Sequence, residues 1–202
     1  MDDYSMFTQA RFAQAAYQTN RPKTLFGYTY VPGESDDRSA IYTKDGFVEV
    51  AYRGSVDGKD WLKSDTAIAF GNQRDDSTFI HDREQLAHLK DLYSGDKFYF
   101  TGHSLGGARA YASARTSKDR AATFNAAIGV TKQNASDAFR TLLGDKNLTG
   151  ITNYRTEGDL VSMNPVVGGR SVVIKKGANS ELTAASKVAA HDLDNFLPKS
   201  SQ

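Results

Sequence analysis

The chain contains no cysteine. Disulfides, thiolate metal sites and a cysteine nucleophile are therefore excluded together, while the redox compartment stays open because a cysteine-free chain suits either side of a membrane. An excess of one charge is missing too: 25 basic residues face 24 acidic ones, for a net charge of +1 at pH 7. With no long run of Lys or Arg, the electrostatic footprint of nucleic-acid binding is lacking, and phosphate-backbone binding is disfavoured. No stretch approaches the roughly 18 apolar residues that a membrane-spanning helix needs. The N-terminal MDDYSMFTQARFAQAAYQTN opens on two acids and has neither a basic n-region nor a continuous apolar h-region. No secretory signal is expected, and the default location is cytoplasmic. Internal repeats and low-complexity segments are absent as well.

What remains is an ordinary globular composition, 39% hydrophobic and 11% aromatic over 202 residues. That length predicts one domain, residues 1–202, with a core of its own. Met6, Phe7, Ala10, Phe12, Ala13, Ala16 and Tyr17 recur at helical spacing ahead of Pro22, which predicts an amphipathic helix over about 5–18. FGYTYV, SAIYTK and GFVEVAYR follow as strand-like runs. The last two are joined at Lys44-Asp45-Gly46, a hairpin signal, so the early sheet is expected to be antiparallel.

Further on, Leu86, Leu89, Leu92 and Tyr93 form a helical stripe closed by Gly95. KFYFT, AATFNAA and GITNYR then alternate with helical stretches near 104–117 and 134–143. This alternation calls for crossover connections and a parallel sheet. RSVVIKK and a terminal helix near 184–197 complete the reading.

At the joint between KFYF and ARAYASARTS stands Thr101-Gly102-His103-Ser104-Leu105-Gly106-Gly107. A G-x-S-x-G between a strand and a helix holds its serine in a sharp turn, with the hydroxyl lifted above the sheet and positive partial charge from the helix N-terminus beneath it. A phosphate-cradling loop is a poorer reading, because the Gly-Lys-Ser/Thr ending is missing. A serine nucleophile needs a base, usually a histidine oriented by a carboxylate. Of the four histidines, His81 and His88 fall on a helix before the serine as surface or packing residues, and His103, adjoining the serine, should point away from the base position. His191 in AAHDLDNF is the candidate base.

In the expected order of Ser, acid, His, the acid lies between the two. Asp159, a short link beyond GITNYR, fits best, with Glu157 as rival. Asp119, Asp137 and Asp145 read as solvated helix ends or loops, and Asp192 as a cap for the helix that follows. An oxyanion needs preorganised donors. The backbone N–H of Leu105 is one, and Ser55 in VAYRGSVDGKDW, with Gly54 before it allowing close approach, is a candidate second. Asp75 and Asp76 lack the spacing of a calcium loop, and the lysines of GGRSVVIKKG read as the ends of an exposed strand. The proposed chemistry needs no metal and no cofactor.

Tyr52-Arg53-Gly54-Ser55, Trp61, Asp65, Gly102-His103-Ser104-Leu105-Gly106-Gly107, Asp159 and His191 together resemble the class 3 lipase family of α/β-hydrolases, in the family's order and over roughly 50–197. The resemblance implies an α/β-hydrolase fold, with a mixed, mostly parallel central sheet flanked by helices. It implies a serine carboxylic ester hydrolase with Ser104, Asp159 and His191 as the triad and Ser55 and Leu105 at the oxyanion hole. It also implies a lid after Ser55, with Val56, Trp61 and Leu62 as its apolar, substrate-facing groups. That segment is short and mostly charged, which favours short or medium acyl esters or a phospholipid over a triglyceride droplet and limits contact with a lipid interface to a transient one. Acyl transfer through the same residues, and a silent binding domain that keeps the fold, are the alternatives. Oligomeric state is left open.

Overall fold

The structure, a computed structural model, describes residues 4–55, 77–129, 132–159, 162, 168–175 and 191–197. The lid residues Val56, Trp61 and Leu62 lie outside the described residues, as do Asp65, Asp75 and Asp76.

Helix α1 spans Met6–Ala15 and is capped by Ser5, whose side chain accepts from the Thr8 N–H. Strands β1 (Thr24–Leu25), β2 (Tyr28–Tyr30), β3 (Ser39–Lys44) and β4 (Phe47–Tyr52) then form an antiparallel series. The β3–β4 turn has φ of 44° at Asp45 and 80° at Gly46, the two positive values of a type I′ hairpin, whose twist matches that of the strands it joins.

Helix α2 (Ser77–Leu92) leads into β5 (Lys97–His103), and α3 (Leu105–Ser117) into β6 (Arg120–Phe124). Helices α4 (Lys132–Leu142) and α5 (Lys146–Thr149) precede β7 (Ile151–Thr156) and β8 (Arg170–Ile174). From β4 onward every pairing is parallel, so all eight strands form one mixed sheet in sequence order. This is an α/β-hydrolase architecture.

Alternation along the central strands explains the layers. Val48, Val50 and Tyr52 of β4, with Phe98 and Phe100 of β5, join Leu86 and Leu89 of α2 and Tyr111 and Ala114 of α3 in one cluster. On the opposite face Ala51 packs with Phe12, Ala15 and Ala16, so α1 covers that side. The chain ends of the parallel strands therefore open between two helical layers, where a strand-to-helix turn can present a side chain.

Three expectations need correction. Leu92 was expected on the buried stripe but is 52% exposed, because α2 ends there. Of the terminal helix expected near 184–197, residues 184–190 lie outside the described residues, His191 is helical, and Leu193–Phe196 form a 3₁₀ turn with Asp192 as its cap. Asp137, expected to be solvated, is fully buried. It accepts from the Tyr111 hydroxyl and pairs with Arg115 and Arg140.

Candidate active site

Ser104 sits where β5 becomes α3, at φ 57° and ψ −124°, in a region that side-chain-bearing residues rarely occupy. Its neighbours hold it there. The Ser104 N–H donates to the Phe124 carbonyl at 3.0 Å, and its own carbonyl accepts from Ala108 and Ala127 at 3.2 and 3.0 Å. A Cβ on Gly102 would run into the Gly106 carbonyl, and one on Gly106 would meet the Tyr52 carbonyl and, at 2.9 Å, the Gly54 nitrogen. The two glycines thus let β5, α3 and the end of β4 touch through backbone. The Ser104 side chain does not cap α3, so its hydroxyl is not spent on the helix N-terminus.

Asp159 lies just past the end of β7 and is 1% exposed. Its Oδ2 accepts from both the backbone N–H and the hydroxyl of Ser162. Its Oδ1 is 3.0 Å from Nδ1 of His191, itself a buried residue. Two donors fix the carboxylate, and the carboxylate in turn fixes the imidazole with Nε2 turned away from Asp159. The rival Glu157 is exposed. Asp119 is taken up by Lys90 at 2.6 Å, and Asp145 caps α5, where the Asn147 N–H holds its carboxyl below the usual range.

His103 does not point away from the base. Its ring lies 4.8 Å from that of His191, centroid to centroid, and its Nε2 is 2.6 Å from the His191 carbonyl. His81 and His88 lie elsewhere, beside Asp36 and Glu34. Ser55 follows directly on Gly54, which presses on the turn: a Cβ there would meet the His103 carbonyl at 2.7 Å. The half-buried Leu105 opens α3 on the other side of Ser104.

Arg109 on α3 was not singled out in the sequence, yet it is 2% exposed and organises this corner. Its guanidinium donates to Asp82 of α2, at 2.8 Å through Nε, and to the carbonyls of Arg38 and Arg53 at 3.0 and 2.8 Å. It also lies 4.6 Å from the Tyr52 ring centroid. Arg53 immediately precedes Gly54, so the clamp ties the end of β4 to α3. A lone arginine among Ala108, Ala110 and Tyr111 was the one signal available in the sequence.

A buried acid, a histidine oriented by it and a serine on a strained strand-to-helix turn, all at the carboxyl ends of a parallel sheet, define an α/β-hydrolase-fold protein. The fold is shared with solved lipases. Lip2 lipase from Yarrowia lipolytica matches at a TM-score of 0.56 and 14% identity, over 85% of this chain and 79% of that one. The Rhizomucor miehei lipase in its propeptide complex matches at 0.54 and 14%, over 94% and 75%. The mono- and diacylglycerol lipase from Aspergillus oryzae matches at 0.52 and 20%, over 92% and 84%. No curated protein sequence matches the chain. The sequence model of a phospholipase-like family, the Tle-like phospholipase domain, matches residues 8–200, and the chain belongs to that family. It is an ester hydrolase of the lipase and esterase class.

Proposed function

We propose that the chain hydrolyses the carboxylic esters of phospholipids, and short to medium acyl esters generally, through an acyl-enzyme on Ser104. The observation that carries this reading is the buried Asp159–His191 hydrogen bond of 3.0 Å beside the strained Ser104 turn. Phospholipid is favoured among the substrates by the family's description.

His191 Nε2 takes the Ser104 hydroxyl proton as Oγ attacks the ester carbonyl. The carbonyl oxygen becomes an oxyanion, held by the Leu105 N–H and by Ser55. Asp159 stabilises the imidazolium, which then passes its proton to the departing alcohol oxygen as the ester C–O bond breaks. Water, deprotonated by His191, attacks the acyl-serine, and the carboxylic acid leaves as Oγ recovers its proton. The whole sequence uses side chains and backbone of this chain alone, and the domain as a whole, residues 1–202, serves as the catalytic unit.

Ser104→Ala should lower turnover of p-nitrophenyl esters and of phosphatidylcholine in mixed micelles by at least about 1,000-fold without lowering Tm. Among p-nitrophenyl esters, short and medium chains should be turned over fastest. Full activity in the Ser104→Ala protein contradicts the nucleophile assignment, and a preference for emulsified triglyceride contradicts the substrate class.

A further inference from the structure

Tyr17 lies two residues beyond the end of α1, in a turn that contributes no group to the proposed chemistry. Its hydroxyl accepts from the Gly54 N–H at 3.0 Å and faces two acceptors on His103, the carbonyl, to which it donates at 3.3 Å, and Nδ1 at 3.2 Å, so its one proton is shared between them. His103 reaches onward with Nε2 to the His191 carbonyl at 2.6 Å. A carbonyl oxygen only accepts, so Nε2 carries hydrogen. Burial and the neighbouring His191 push the His103 imidazole down to about 4, which keeps it neutral near pH 7. Its Nδ1 therefore presents a lone pair toward Tyr17. Burial pushes the Tyr17 phenol up to about 12, so its proton stays in place.

Donors and acceptors then run one way, from the Gly54 N–H to the Tyr17 oxygen, from the Tyr17 O–H to His103, and from His103 Nε2–H to the backbone of His191. The geometry points to Tyr17 as a positioning residue for ester hydrolysis, a hydroxyl that selects the His103 tautomer and so ties the Gly54–Ser55 segment and the His191 backbone into one hydrogen-bonded frame. The inference rests on the roles given above to Ser55, Ser104 and His191. Without the Tyr17 hydroxyl, the His191 carbonyl still favours hydrogen on Nε2 but its second support is gone, and the Nδ1–H form, which gives up the donor to His191, becomes accessible. A displacement of about 1 Å in a reacting group costs up to about 100-fold in rate.

The test uses the full chain and p-nitrophenyl butyrate. Tyr17→Phe, which keeps the ring, should lower kcat about tenfold and leave KM within about twofold, since it disturbs alignment rather than substrate contact. Because an amide has no tautomer to select, adding Tyr17→Phe to His103→Gln should cost less than about twofold beyond His103→Gln alone. Long-range ¹H–¹⁵N correlation spectra of the wild-type protein should show His103 with hydrogen on Nε2, and those of Tyr17→Phe a growing Nδ1–H form. Wild-type kcat in Tyr17→Phe, additive losses in the double variant, or an Nδ1–H His103 in the wild type overturns the proposal. The wild-type spectrum decides even if a variant does not fold. Activity lost in Ser104→Ala but kept in Tyr17→Phe refutes only the role of Tyr17, whereas activity kept in Ser104→Ala refutes the function itself.

Discussion

Ser104 combines two properties that oppose each other. Its backbone, at φ 57° and ψ −124°, occupies the corner of a type II′ turn that glycine fills without penalty, while the proposed chemistry needs its hydroxyl. Such strain costs roughly 1–3 kcal/mol. Ser104→Gly should therefore be more stable than Ser104→Ala by about 1 kcal/mol in urea unfolding, with both variants inactive on esters. Equal stabilities would show that the turn stores no strain. Ser104, Asp159 and His191 could be proposed from the sequence because chemistry restricts residue type and chain order restricts position. Asp137, His103, Tyr17 and Arg109 were not, because their meaning lies in partners far along the chain. Asp137 reads as solvated in KQNASDAFRTL until Tyr111 arrives from another helix, 26 positions away. His103 was expected to turn aside on the basis of adjacency to Ser104 alone, and only the fold brings His191 against it.

Among elements, the β3–β4 hairpin was readable from Asp45-Gly46, since a two-residue turn is specified locally. Strand β1, two residues long, was missed because Thr24–Leu25 cannot show alternation. The α1–β4 interface holds a feature that neither pattern nor spacing announces. Glu49 faces α1, fully buried, and accepts from Gln9 Nε2 at 3.0 Å. Burial pushes its carboxyl from 4.5 up to about 8. Below pH 4.5 the group is protonated whether the chain is folded or not, and it adds no pH dependence. Between there and about 8 the folded chain keeps a proton that the unfolded chain releases, so stability falls as pH rises, and the loss is complete above that range. Glu49→Gln removes this proton. Its Tm should exceed that of the wild type at pH 8, with the gap narrowing toward pH 5. A gap that is constant across this range would mean that Glu49 is ionised inside the fold.

At the scale of the molecule, the eight-stranded sheet serves to bring distant segments to one edge. The ends of β4, β5 and β7 deliver Ser55, Ser104 and Asp159, while the turn after α1 contributes Tyr17 and the residues before the last 3₁₀ turn contribute His191. The order of these pieces is visible in the sequence, but their closure into the proposed site depends on parallel pairing and on backbone contacts at Gly54, Gly102 and Gly106. In the proposed mechanism this assembly makes Ser104, and no other hydroxyl, nucleophilic. Mass mapping after treatment with a fluorophosphonate reads this directly. One adduct is expected, on Ser104, in the wild-type protein and none in folded His191→Ala. An unlabelled wild type, a label on another residue, or undiminished labelling of His191→Ala would contradict it.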